Sequence, residues 1–357
     1  MSKFKFNPRN DTLKNSINWS KLGFGRYFAD YMYISHYKDG SWEEGEIVPY
    51  QALPIEPAMM TLHYAQTIFE GLKAYKNPNG GANLFRPEMN AKRINRSADA
   101  VVIPQFPEDR FVEAIKELIY YNREFIPSGE GETMYIRPFI FGSSNLIGVH
   151  PSKEYTMIII MSPVGPYYKD ILRPVKIKVS DGYVRAVRGG LGSVKAGANY
   201  AASLKASDIA EKEGYSQVLW LDGVHLTFVD EVGSMNIMFV IDGEIVTPSL
   251  ESGTILPGIT RDSVLKLAGR LGYKATERTI SINEVIEGIE SGRLTESFGT
   301  GTAAAISPVG LLSYRGKDYT INNFEIGPIS QQMYDTLLGI QYGKLEDPFG
   351  WVTRIDY

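Results

Sequence analysis

Lys195 is the residue whose neighbours in the chain first invite a chemical reading. It stands in RGGLGSVKAGANY, residues 188–200, where glycine-rich text runs into a helical pattern. Backbone N–H groups at such a junction can face an anion. A lysine amine is a nucleophile and a proton carrier once it is unprotonated. The stretch is not a Walker A loop, because Lys195 lacks the preceding glycine and the following Ser or Thr. On spacing alone, a flexible loop with one solvated lysine is an equal reading. A second glycine stretch, FGTGTAAA at 298–305, imitates the GxGxxA form of a dinucleotide fingerprint. The text after it, AISPVGLLSY, reads as strand and turn, so the helix that such a site requires is missing.

Composition removes other chemistries. The 357 residues contain no cysteine, which excludes disulfides, thiolate metal sites and thiol nucleophiles. The four histidines, His36, His63, His150 and His225, are scattered without ligand spacing, so no metal is expected and each reads as a packing or surface residue. Net charge is −4, which offers no basic field to nucleic acid. No apolar run approaches the roughly 20 residues of a membrane span. The first 20 residues lack the apolar stretch of a secretory signal, and a cytoplasmic protein is expected.

The elements that must position these residues read as follows. Strand-like text occupies 27–35 and 70–75, and KNPNGG at 76–81 makes a turn into a strand at 82–85. Residues 107–125 form the clearest helix of the first half, with Phe111, Ala114, Ile115, Leu118 and Ile119 on one face. Buried strands are expected at 134–141 and 155–161. Residues 162–174 carry three prolines and a glycine between β-rich stretches and are the candidate linker. Asp222-Gly223 and Asp242-Gly243 signal hairpins. Helices are expected at 199–213, closed by Gly214; at 260–271, with Thr260 as N-cap; after a Ser281/Glu284 capping box; and at 328–343. Hairpin strands with helices set apart give an α+β fold rather than a doubly wound sheet. The division expected is an N-terminal α/β domain at 1–162, an interdomain loop at 163–178, and a C-terminal domain at 179–357 that carries Lys195.

Eight segments, taken together, resemble the fold-type IV pyridoxal-phosphate enzymes, and most closely the branched-chain amino-acid aminotransferases. They are HYAQTIFEGLKAY from His63, FRPEMNAKRINRSA from Phe85, MYIRPFIFG from Met134 and SPVGPYY from Ser162. KAGANYA from Lys195, EVGSMN from Glu231, LPGITRDSV from Leu256 and FGTGTAAAISPV from Phe298 complete the series, in family order.

The resemblance implies a role for each matching residue. Lys195 matches the lysine that carries pyridoxal 5′-phosphate as a Schiff base and later moves a proton. Glu231 matches the carboxylate facing the pyridine nitrogen, and Tyr200 the tyrosine at the phenolic oxygen. Arg93 matches the phosphate-binding arginine, with Arg96 as a surface decoy; Ile259, Thr260 and Thr302 match the remaining phosphate donors. The substrate pocket maps onto Phe24, Tyr64, Phe69, Tyr135, Arg137, Tyr167 and Ser234, with Ala303 in the turn that meets the α-carboxylate. Ala304 and Ser307 stand where mammalian relatives carry a redox-active CxxC, so thiol control is absent. The reaction implied is transfer of the amino group of L-leucine, L-isoleucine or L-valine to 2-oxoglutarate by a homodimer or larger homo-oligomer. The alternatives are a D-amino-acid aminotransferase or an aminodeoxychorismate lyase of the same fold, a silent cofactor-binding protein, and a nucleotide-binding module built on FGTGT.

Overall fold

The computed structural model describes residues 3–166 and 172–357. Its chain divides into two compact units. One comprises Met1–Tyr167, Lys195–Ala198 and Gly339–Tyr357; the other comprises Tyr168–Val194 and Asn199–Leu338.

The first unit contains β1 (Lys5–Phe6), β2 (Tyr31–Lys38), β3 (Ser41–Trp42), β4 (Glu46–Pro49), the short α1 (Met60–Tyr64), β5 (Thr67–Phe69), β6 (Leu72–Lys76) and β7 (Ala82–Phe85). These are followed by α2 (Pro87–Ala100), α3 (Glu108–Tyr121), β8 (Thr133–Gly142) and β9 (Tyr155–Val164). The sheet order is β1-β4-β2-β9-β8-β6-β7, and every pair except β1–β4 is antiparallel. β8 and β9 pair from Thr133–Val164 to Gly142–Tyr155, and their near-continuous apolar text follows from burial on both faces. α3 buries Phe111, Ala114, Ile115, Leu118 and Ile119, the stripe read from its 3.6-residue spacing. Burying each of the large aliphatic residues of that stripe yields about 1.5–3 kcal/mol.

The second unit contains β10 (Val175–Val179), α4 (Gly197–Lys212, its first two residues in the first unit), β11 (Gln217–Leu221), β12 (Val229–Val232), β13 (Asn236–Ile241), β14 (Glu244–Pro248), α5 (Ile259–Arg270), β15 (Ala275–Arg278), α6 (Ile282–Glu290), β16 (Leu294–Gly301), β17 (Ala305–Tyr314) and β18 (Lys317–Thr320). α7 (Pro328–Tyr342) and β19 (Val352–Ile355) close the chain. The sheet order is β12-β11-β10-β17-β16-β13-β14-β15. Its parallel pairs are β10–β11, β10–β17 and β14–β15. A parallel pair needs a crossover, and α4 and α5 supply two of them. The glycine-rich text before α4 and the LPGIT text before α5 therefore both open crossover helices.

Several local expectations change in the structure. Asp242-Gly243 makes a two-residue turn with φ values of 52° and 79°, the left-handed pair that a type I′ hairpin requires. Asp222-Gly223 instead opens a longer connection, because the Asp222 carboxylate accepts N–H bonds from Val224, His225, Thr227 and Phe228 and organises the loop. Thr260 is not an N-cap. The cap is Gly258, where a Cβ would lie 2.0 Å from Asn236 Oδ1. Ser281 does cap α6, accepting from Glu284 N at 3.0 Å, but the Glu284 carboxylate pairs with Arg278 rather than reaching back. α2 is a helix that the sequence reading leaves out. The expected linker at 163–178 overlaps β9, which runs through Val164, and β10, which opens at Val175; residues 167–171 lie outside the described residues. Gly339–Tyr357, expected with the second domain, groups with the first unit because β19 pairs antiparallel with β7.

Candidate active site

In the first unit, Lys195 is held by its backbone. Its N–H donates to Ser97 Oγ at 3.0 Å, its carbonyl accepts from Phe69 N at 3.1 Å, and Ala196 bridges Ile68. The residue is only partly exposed, and its amine sits 4.6 Å from the centre of the Phe69 ring. Burial lowers the amine pKa to about 8, helped by the charges of Arg93 and Arg137 and opposed by Glu70. Roughly a tenth of it is therefore the nucleophilic free amine at pH 7, far more than for an ordinary lysine.

Arg93, on the buried face of α2, meets a carboxylate. Its Nε donates to Glu70 Oε1 at 2.7 Å and its Nη2 to Oε2 at 2.8 Å. Glu70 is fully buried between β5 and β6 and also accepts from Asn90 Nδ2 and from Gly71 N. Burial alone would raise its pKa, but the Arg93 charge and hydrogen bonds, with Lys195 and Asn90, leave it below the usual carboxylate range. Arg96, one helical turn away, is exposed.

The Arg137 guanidinium stacks over Phe69 at 4.5 Å, lies 5.3 Å from the Tyr135 ring and donates from Nη2 to Tyr135 Oη at 3.0 Å. It has no ion-pair partner among the described residues, and its buried Nε has no hydrogen-bond partner. Phe24 packs edge-on against Tyr135 with ring centres 4.9 Å apart. Phe24, Phe69, Tyr135, Arg137, Arg93 and Lys195 thus form one neighbourhood. Tyr64 stands apart at the end of α1, its ring against His63 and 37% exposed. Tyr167 lies outside the described residues.

The second unit holds a cavity of about 440 Å³ lined by Arg185, Asn199, Tyr200, Glu231, Ser234 and Leu256, among others. Glu231, on β12, is 3% exposed. Its Oε1 accepts from Asn236 Nδ2 at 3.1 Å and Leu256 N at 2.8 Å, and its Oε2 is 3.0 Å from Arg185 Nε. Asn199, in the first turn of α4, donates to Leu191 O and Val194 O and so pins the loop before Lys195. Ile259 and Thr260 are the first residues of α5, whose Gly258 cap has no side chain to engage their N–H groups. Thr302 and Ala303 lie in the turn that joins β16 to β17. That turn returns antiparallel from Phe298–Pro308 to Gly301–Ala305, so FGTGT belongs to a hairpin and not to a dinucleotide site.

Sequence reasoning gave no role to Glu70, Asn90, Ser97 or Asn236, although all stood inside the quoted segments. Arg185 lay outside them, and no local pattern marks it. Lys73, on β6, is a buried lysine whose pKa is likewise lowered to about 8 by burial. Among the described residues no cluster of histidines and carboxylates could hold a metal ion.

Residues 67–312 match the family described as "Amino-transferase class IV". A probable branched-chain-amino-acid aminotransferase of Staphylococcus epidermidis is 52% identical over 355 residues, 99% of this chain and 98% of its own. Branched-chain-amino-acid aminotransferase 2 of Bacillus subtilis is 50% identical over 345 residues, 96% of this chain and 95% of its own. The crystal structure of the T.th. branched-chain amino acid aminotransferase with pyridoxamine 5′-phosphate superposes with a TM-score of 0.76 at 27% identity, covering 91% of this chain and 98% of that one.

Proposed function

The chain belongs to the amino-transferase class IV family, and from that premise we propose that it is a branched-chain amino-acid aminotransferase using pyridoxal 5′-phosphate. It moves the amino group of L-leucine, L-isoleucine or L-valine to 2-oxoglutarate. The observation that carries this reading is the Lys195 amine, enclosed beside Phe69 and the Arg93–Glu70 pair with its pKa drawn down to about 8.

The donor chemistry fits the cofactor. An enclosed, partly unprotonated amine suits an aldehyde; a glycine-capped helix start at Ile259 and Thr260 suits a phosphate; a buried carboxylate on the wall of a 440 Å³ cavity suits a pyridine nitrogen. When bound, pyridoxal phosphate supplies an aldehyde that takes up the substrate amine and a ring that accepts electrons from the substrate Cα. By resemblance, Arg93, Ile259, Thr260 and Thr302 are the residues that would hold the phosphate. Glu231 would hold a proton on the ring nitrogen, and Tyr200 would donate to the phenolic oxygen. Lys195 Nζ would take the proton from the substrate Cα as a general base and deliver it, as a general acid, to the carbon of the cofactor aldehyde.

Substrate selection falls to Phe24, Phe69, Tyr135 and Arg137, with Ser234, Tyr64, Tyr167 and Ala303 assigned by resemblance alone. Aromatic walls bury a branched aliphatic side chain. Arg137, which has no ion-pair partner among the described residues, answers the γ-carboxylate of glutamate, which would otherwise be costly to desolvate.

The reading makes the protein a homodimer or larger homo-oligomer in the cytoplasm. Exposed apolar side chains on the first unit, among them Leu62, Leu146, Ile147 and Val149, suit burial against a second copy. No helix among the described residues is long and apolar enough to cross a membrane. The deciding experiment is an assay of L- against D-amino acids with 2-oxoglutarate as acceptor. Turnover of L-leucine, L-isoleucine and L-valine supports the reading; turnover confined to D-alanine or D-glutamate rejects it.

A further inference from the structure

Arg185 is the buried arginine beside Glu231, its side chain 8% exposed. Its Nη2 donates to Gly192 O at 2.9 Å and also to Thr254 O, while its Nε stands 3.0 Å from Glu231 Oε2. These partners lie on three separate pieces of chain. Gly192 is in the glycine-rich segment that precedes Lys195, Thr254 is in the segment that leads to the Gly258 cap of α5, and Glu231 is on β12. The two segments are also in direct backbone approach, since a Cβ on Gly192 would lie 2.3 Å from Thr254 O. Asp230 reinforces the same point, because its Oδ1 accepts from Thr254 Oγ1 at 3.0 Å. Leu256 N, two residues past Thr254, closes the circuit on Glu231.

We infer that Arg185 is a positioning residue. It clamps the segment before Lys195 and the segment before the α5 N-terminus to the Glu231 carboxylate, so that three elements serving the cofactor are held as one. This rests on the functional reading above. One guanidinium nitrogen donates to two carbonyls while the charge pairs with Glu231, to which Nε makes no hydrogen bond; a lysine ammonium on a flexible stem does not match that fixed plane. The guanidinium also places a fixed positive charge beside Glu231. It therefore opposes any additional proton nearby.

The test uses the full-length protein with its bound cofactor, and wild type stripped of cofactor as the reference for effects of cofactor loss. In Arg185→Gln, amides of residues 186–194 and 252–256 are expected to exchange with deuterium roughly 10-fold or more faster than in either wild-type form, while those of β10 and β13 hold. The pH midpoint of the cofactor's absorbance is expected to move upward, since a neighbouring cation is lost. Arg185→Lys should restore that midpoint but not the protection of both segments. Gly192→Ala, which leaves Arg185 intact, should open the same two segments. Wild-type exchange and an unmoved midpoint in Arg185→Gln overturn the clamp. If Arg185→Gln loosens the whole chain, Gly192→Ala decides, and protected segments there overturn it. A wild type inactive on L-leucine, with variants whose segments still open, refutes the functional reading and keeps the clamp; an active wild type with unaltered variants does the reverse.

Discussion

The Arg93 guanidinium and the Glu70 carboxylate meet at two points, Nε to Oε1 at 2.7 Å and Nη2 to Oε2 at 2.8 Å, with Glu70 wholly buried. Two-point contact fixes the plane of the guanidinium as well as its position. A buried pair gives little net stability by itself, but removing one partner strands the other. Glu70→Gln is therefore expected to weaken cofactor affinity about 10- to 100-fold, read by titrating cofactor-free protein. Its acid behaviour follows from the depressed pKa. The stabilisation that Glu70 provides is present above its unfolded value near ~4.3 and is lost as pH falls through the lower folded value. Glu70→Gln should lower stability at neutral pH and flatten the acid limb of the denaturation curve. An unchanged acid limb contradicts the assignment.

Lys195 has two rivals. Lys205 is exposed on α4, while Lys73 is buried with a pKa near its own, about 8. Borohydride reduction of the cofactor-loaded protein followed by peptide mapping should place the label on Lys195 alone. Label on Lys73 would move the chemistry to β6. Because the folded pKa of Lys195 is depressed, the unfolded chain binds more protons between pH 8 and the ordinary value near ~10.4. Burying this amine thus costs stability below pH 8, and the cost fades as pH rises through that window. Lys195→Met in the cofactor-free protein should raise Tm at pH 7 by about 2–8 °C and less at pH 10.

Glu231→Gln keeps the shape of the carboxylate but cannot hold a proton on a ring nitrogen. The expected result is retained cofactor with kcat lowered by roughly two or more orders of magnitude, a loss concentrated in the transition state. Leucine KM should change far less. An unaltered kcat would leave Glu231 as a structural partner of Arg185 and Asn236 only.

Arg137→Met removes the cation stacked on Phe69 without removing apolar bulk. The half-reaction with glutamate or 2-oxoglutarate should lose about 10- to 100-fold in kcat/KM, and the half-reaction with leucine much less. Stopped-flow absorbance measures the two separately. Equal losses would assign Arg137 to the support of Tyr135 and Phe69 rather than to the carboxylate.

Periodicity and local chemistry made much of the fold legible. The α3 stripe, the Asp242-Gly243 turn and the buried pair β8–β9 all follow from local text. Asp222-Gly223 did not give a tight turn because its carboxylate found four backbone donors, a choice that dipeptide statistics do not contain. The cap of α5 lies two residues before the expected Thr260 because the space at Gly258 is set by Asn236, distant in sequence. The site shows the same limit. Lys195, Arg93 and Glu231 stood in recognisable segments, whereas the partners that tune them are long-range pairs. Glu70 lies 23 residues from Arg93, and Arg185 reaches Glu231 across a helix and a strand. Nothing in the local text records such a pairing.

The central claim is that this chain exchanges an amino group with a branched-chain L-amino acid through the Lys195 amine. The most direct measurement is the absorption spectrum of the purified, cofactor-loaded protein in single turnover, first with L-leucine and then with 2-oxoglutarate. The account predicts that L-leucine abolishes the band of the lysine-linked cofactor within the enzyme's turnover time and that 2-oxoglutarate restores it, while Lys195→Ala shows neither change on that timescale. A wild-type spectrum that L-leucine leaves unaltered, or one that responds only to D-amino acids, would contradict it.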